Sequence, residues 1–359
     1  MLPRFALVFA GGLLSFNLVA EPAQSNDFSK AYQAYQAAVE AQNNELIPLH
    51  AKQSVDLGCN KFGEKSENCA ALWSNYGYAL GHDDDKAYEA ANAFNSARLI
   101  FKELYGPDSI EVADTLIGAG QLTGLPNKKR IRYLQDAISI ADIHDSTSPL
   151  YAANIYLEAG KELLRANSPK SKVLEKAYRI LSQELANNDR RLFEARTTLA
   201  NYYRADRKLE KSIELLELNI QQLEAVGAKD HPYDVHSRAQ LVDLYERVGE
   251  SDKATPHCVA IGAMTPWDPN QEASPLFRVP PKYPVNLARR QQGGQVVLDF
   301  EIDEMGFVDN VKIVRSTNKS LSRETTKALK NWRYAPKFED GKPVRAESKV
   351  TIDFSIDER

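Results

Sequence analysis

Six histidines, three cysteines and a run of three aspartates are the residues of this 359-residue chain that could do chemistry or hold a metal. The histidines (His50, His82, His144, His231, His236 and His257) are scattered along the chain. None falls in the HExxH arrangement that sets two imidazoles on one helical face beside a carboxylate base. His231 and His236 are five apart, a spacing that does not place two side chains together on a helix. Asp83, Asp84 and Asp85 lack the alternating ligands and closing glutamate of a calcium loop. Acids favour the positive end of a helix dipole, so these three are expected to open a helix near Lys86. The sequence has no GxSxG elbow, no phosphate-cradling loop and no paired CxxC. The expectation is a protein that is not an enzyme and uses neither cofactor nor metal.

The cysteines point to a compartment instead. Cys59 and Cys69 flank the polar stretch CNKFGEKSENC and are placed to close a small disulfide loop. Two reduced core thiols are the alternative. The N-terminus reads as an export signal over residues 1–20: MLPR gives a positive charge, Phe5 to Leu14 is almost wholly apolar, and Leu18-Val19-Ala20 suits a cleavage point before Glu21. An uncleaved inner-membrane anchor is the alternative, although Ser15 and Asn17 interrupt an apolar run that would need about 20 residues to span a bilayer. Periplasmic location is the expectation. From Pro275 to Arg359 there are 16 basic and 12 acidic residues, net +4, against −8 for the rest of the chain. That tail lacks the dense basic stripe with interleaved aromatics that nucleic acid would require.

The elements that carry these residues come in two kinds, and the length suits two domains. Taking Cys69, Val112, Tyr151, Phe193 and Val235 as anchors of similar segments, the spacings are 43, 39, 42 and 42 residues. A period near 40 built from two helices is the signature of an α-solenoid. In the second helix of the unit, Ala90, Phe94 and Ala97 share one face, as do Ala254, Cys258 and Ile261. Cys258 therefore reads as a small buried hydrophobe. Gly106-Pro107-Asp108 and Asp230-His231-Pro232 are loops before new helices. Residues 28 to 262 resemble tetratricopeptide repeats of the longer variety, and the resemblance implies a concave surface that binds a peptide or a second protein.

Three prolines between Pro266 and Pro275 break the helical pattern, and the expected domains are 21–265 (repeats), 266–279 (a stiff connection) and 280–359. The pattern then alternates. Gln295 to Ile302 reads as a strand with Val296, Leu298, Phe300 and Ile302 on its inner face. Asp303 to Gly306 makes a turn, Val308 to Val314 the paired strand, Ser320 to Trp332 an amphipathic helix, and Gly341 turns the chain into a last strand, Ser348 to Ile356. The expected fold class is α+β multidomain: an α-solenoid followed by a small β-β-α-β layer.

Tyr283-Pro284, Gly294, Gly306, the Val308-Asp309-Asn310-Val311 strand, and Trp332-Arg333-Tyr334 with Pro336 occur in order. On these markers, Pro280 to Ile356 resembles the C-terminal domain of the TonB family. The resemblance implies binding of a short extended segment of an outer-membrane receptor, added as a strand to the edge of the last strand. The matching edge is Lys349, Val350, Thr351, Ile352, Asp353 and Phe354, with Tyr283 and Pro284 in a segment that helps contact the partner. An unpaired last strand also invites self-association. The chain departs from the family in having no histidine before His50 and no long Pro-rich spacer, so coupling to a proton-driven motor is not implied. A structural envelope protein without receptor coupling, or a membrane-anchored energy transducer, are the alternative readings.

Overall fold

A computed structural model describes residues 24–228, 231–264, 267 and 273–355. The expected leader, Asp230 and Ile356 lie outside the described residues. The chain divides into two compact units, one ending at Leu185 and the other beginning at Ala186.

The first unit is helical: α1 (Gln24–Glu40), α2 (Leu46–Phe62), α3 (Glu67–Leu80), α4 (Ala87–Tyr105), α5 (Ile110–Gly120), α6 (Asn127–His144), α7 (Pro149–Arg165) and α8 (Ser171–Glu184). Each helix packs on the next, and α3, α5 and α7 also touch in turn. Such contact between alternate helices is what stacks pairs into a solenoid. The starts are written in caps: the Ser66 and Ser109 hydroxyls accept from the Cys69 and Val112 N–H groups. The three aspartates lie where α4 is about to begin, and Asp83 accepts from the N–H of Asp85.

Glycine makes the close contacts between turns of the array. A Cβ on Gly120 would lie 2.4 Å from Leu134 Cδ2, and one on Gly160 would lie 2.3 Å from Leu174 Cδ2. The two sockets and the two leucines are each forty residues apart, so one packing contact is repeated in register. Both leucines are buried, and trimming either to alanine is expected to cost about 2–5 kcal/mol. Arg130 and Glu162 form a buried pair at 3.0 Å, with the Arg130 Nε donating to the Gly120 carbonyl, which ties α5, α6 and α7 together. A disulfide joins Cys59 of α2 to Cys69 of α3.

The second unit opens with α9 (Arg190–Ala205), α10 (Leu209–Ala225), α11 (Pro232–Val248) and α12 (Ser251–Met264), again packed in succession. All five anchors of the forty-residue period sit at the third or fourth residue of α3, α5, α7, α9 and α11. Then come α13 (Val285–Arg289), β1 (Gly294–Ile302), β2 (Val308–Ser316), α14 (Lys319–Leu329), β3 (Lys337–Glu339), β4 (Lys342–Val344) and β5 (Ala346–Phe354). The main sheet is antiparallel with order β2-β1-β5. Val296, Leu298, Phe300 and Ile302 of β1 enter its core with Ile352 and Phe354 of β5. Helix α14 lies across β1 and β2, burying Leu321, Ala328 and Leu329. Gly306 takes a φ of 86°, and a Cβ there would lie 2.1 Å from the Tyr334 carbonyl oxygen, so both the turn and the approach need glycine.

The sequence pattern left out the short helix α13 and the β3–β4 hairpin. Gly341 does not lead straight into the last strand: Asp340 and Gly341, both at positive φ, form the two-residue turn of the β3–β4 hairpin. The last strand begins at Ala346 rather than Ser348. Helix α14 starts at Lys319, capped by Asn318, and stops at Leu329, three residues short of Trp332.

Candidate functional site

Strand β5 carries the six residues of the expected edge. It pairs with β1 on one side, and among the described residues no strand lies on the other. Its register with β1 runs without a shift from Gly294↔Phe354 to Ile302↔Ala346. The opposite edge, β2, differs: its pairing with β1 is interrupted between Val297 and Leu298 and again between Asp299 and Glu301. Bulges twist an edge and spoil it as a template. Strand β5 has kept its nine-residue edge regular.

The side chains of β5 divide by face. Ile352 and Phe354 are buried and Val350 is half-buried, packed against the sheet core. Lys349, Thr351 and Asp353 are exposed. Lys349 Nζ stands 3.6 Å from Asp299, and Asp353 accepts from Gln295 Nε2 at 2.8 Å, so the charged residues are held by the neighbouring strand. Tyr283 meets Phe354 edge-on with ring centroids 5.5 Å apart, and its hydroxyl donates to the Gln292 carbonyl at 3.0 Å. Pro284 precedes α13 at its N-cap. The structure thus brings Tyr283 to the end of β5, beside the strand it was expected to serve. On β2, the Asn310 N–H and then the Arg345 guanidinium hold the Asp309 carboxyl below the usual carboxylate range.

The family markers have internal roles. Trp332 and Tyr334 are core residues, the Trp332 indole donating to the Val279 carbonyl at 2.8 Å. At Gly294, a Cβ would lie 2.1 Å from Thr317 Oγ1. Arg333 lies between two buried aromatics and, by simple alternation, would face solvent; it is 1% exposed. Its guanidinium pairs with Glu246 of α11, donates to Thr255 Oγ1 of α12 and the Met305 carbonyl, and lies 3.7 Å from the centre of the Phe307 ring. Its main chain bonds with Leu276 and Phe277, so residues 276–277 of the expected connection are fixed to the sheet domain. Sequence reasoning missed this pair, since nothing in α11 distinguishes Glu246 from the other acids on its surface.

The helices carry a half-buried polar cluster. Tyr78 of α3, Asp114 of α5 and Tyr151 of α7 sit on consecutive stacked helices. Burial, with Glu111 adding to it, pushes the Asp114 carboxyl up to about 7. Burial and then the charge of Asp114 raise both tyrosines, which places the three within electrostatic reach of one another. Among the described residues no group of three or more His, Cys, Asp or Glu is placed to hold a metal, and no helix is long and apolar enough to cross a membrane.

The comparisons with known proteins are of two kinds. Residues 279–356 match the family described as Gram-negative bacterial TonB protein C-terminal. The protein TonB of Pseudomonas aeruginosa is 29% identical over 91 residues, which are 25% of this chain and 27% of that protein. The chain therefore spans about a quarter of that relative's length. The solution structure of the C-terminal domain of Pseudomonas aeruginosa TonB is 28% identical, covering 25% of this chain and 93% of that one, with a TM-score of 0.23. A Podosopora anserina kinesin light chain with nearly identical tetratricopeptide-like repeats aligns over 68% of this chain and 97% of its own, at 15% identity and a TM-score of 0.37.

Proposed function

We propose that this protein is an exported, periplasmic adaptor. Its TonB-like domain, 280–359, captures an extended segment of an outer-membrane receptor, or of another envelope protein, as an added strand on β5. The helices of 21–265 hold a second protein. The reading rests on one observation above the others: a regular, bulge-free outer edge on β5, in a region that matches the TonB C-terminal family. Alternate residues of an edge strand point their N–H and C=O groups away from the sheet, and an incoming strand satisfies them while its side chains fall alternately on the two faces. Tyr283 and half-buried Val350 give that strand an apolar shelf on one face. Lys349, Thr351 and Asp353 give it a polar one.

The test is photocrosslinking in the cell from Thr351, whose side chain is exposed and leaves the core undisturbed. The expected product joins β5 to a receptor segment. A product with the protein itself alone, or none, would overturn the reading. It would favour a structural component of the envelope whose TonB-like domain packs on its own helices, a reading that the Arg333–Glu246 pair supports.

A further inference from the structure

The last helix of the array has two neighbours. Helix α12 buries Ala254, His257, Cys258, Ile261 and Gly262 on one broad face. A solenoid of helix pairs must cover its final helix, because the next repeat that would bury it is missing. Here the cover is the TonB-like domain. Helix α12 packs on α11 and also on β3 and β4. A Cβ on Gly262 would lie 2.3 Å from the Pro336 carbonyl oxygen and 3.2 Å from the Phe338 ring. One helical turn earlier, Cys258 is fully buried, its Cβ 3.3 Å from where a Cβ on Gly306 would stand, and burial pushes its thiol up to about 11. At the other end, Arg333 reaches into the α11–α12 turn and finds Glu246, the Ser251 carbonyl and Thr255. Glu246 is itself held by the Ser251 hydroxyl at 2.7 Å.

We propose that the TonB-like domain is the C-terminal cap of the helical array, folded as one cooperative piece with α11 and α12 and latched by Arg333. A buried guanidinium is tolerated only where a carboxylate and further acceptors meet it. Those groups come from α11 and α12, 78 to 87 residues away from Arg333 in the sequence. The latch therefore specifies one docking pose, which a merely apolar contact would not do. Any load on β5 then enters the helices through α11 and α12 as well as along the chain.

Hydrogen exchange of the full-length protein tests this with two substitutions that act by different physics. Glu246→Gln weakens the charge pairing from the helical side, and Gly262→Val wedges the far end of the contact without removing a charge. Both are expected to speed exchange of the α12 amides and of the β1 amides paired with β5 together, by about tenfold or more. Unchanged α12 protection in both variants would overturn the proposal. So would a wild-type protein in which α12 and the β1–β5 amides are lost in separate thermal transitions. If Glu246→Gln alone loosened α12, the pair would be local to α11 and the capping role would fall, because the wedge touches no other part of the array.

Discussion

The two surfaces offered for binding use opposite parts of the polypeptide. On β5 the groups left over are main-chain N–H and C=O, and the exposed side chains are already engaged with β1 through Lys349–Asp299 and Gln295–Asp353. On α3, α5 and α7 the main chain is spent inside the helices, and only side chains are left to meet a partner. An edge strand accepts many sequences of suitable shape, whereas a side-chain surface selects by charge and contour. On the proposed reading, the difference would leave partner identity on β5 loosely written and place selectivity on the helices.

The sharpest way to break this contrast is proline in β5. Val350 and Thr351 are neighbours, so their N–H groups point to opposite edges of the strand. Of Val350→Pro and Thr351→Pro, the variant that keeps its fold by circular dichroism is expected to lose crosslinked partner by roughly a hundredfold, from a missing bond and a ring clash. Undiminished capture by a folded proline variant would mean that β5 is not the docking edge.

A smaller effect tests the polar cluster of the helices. The folded-state pKa of Asp114, about 7, lies above its unfolded value. The folded protein therefore keeps a proton that the unfolded chain releases, and stability falls as pH rises from about 4 to about 7. Asp114→Asn is expected to raise stability by about 1–3 kcal/mol at pH 8 and by little at pH 4. Urea unfolding at the two pH values measures the gap, and equal gains at both would show that Asp114 is not buried in this way. The smallest effect belongs to Lys349→Glu. If recognition on β5 is by main chain, reversing this exposed charge is expected to change capture by less than about threefold. A larger loss would mean that the edge reads side chains after all.

Much of this was legible in the sequence, for identifiable reasons. The period of the array is legible because Cys69, Val112, Tyr151, Phe193 and Val235 each stand near the start of the same helix of the unit, a position that a chain must write locally. The sheet domain follows from alternation in β1 and β5 and from Gly306. The β3–β4 hairpin was missed although its Asp340-Gly341 turn is a recognised hairpin signal, because three-residue strands are too short to alternate. Arg333 was recognised only as a marker. Its partner comes from a distant helix, and burial on both sides of Trp332-Arg333-Tyr334 depends on a docking that no local pattern encodes.

The forty-residue socket has a consequence for how such an array can evolve. Deleting residues 121 to 160 would set Leu174 fourteen residues after Gly120, where Leu134 now stands, so packing alone would tolerate a shorter array. The buried Arg130–Glu162 pair straddles that cut. Loss of a unit would leave Glu162 its pair with Arg165, whereas duplication would bury a second Arg130 without its carboxylate, at a cost of about 3–5 kcal/mol. Shape makes the repeats interchangeable, and the ion pair weighs against adding one.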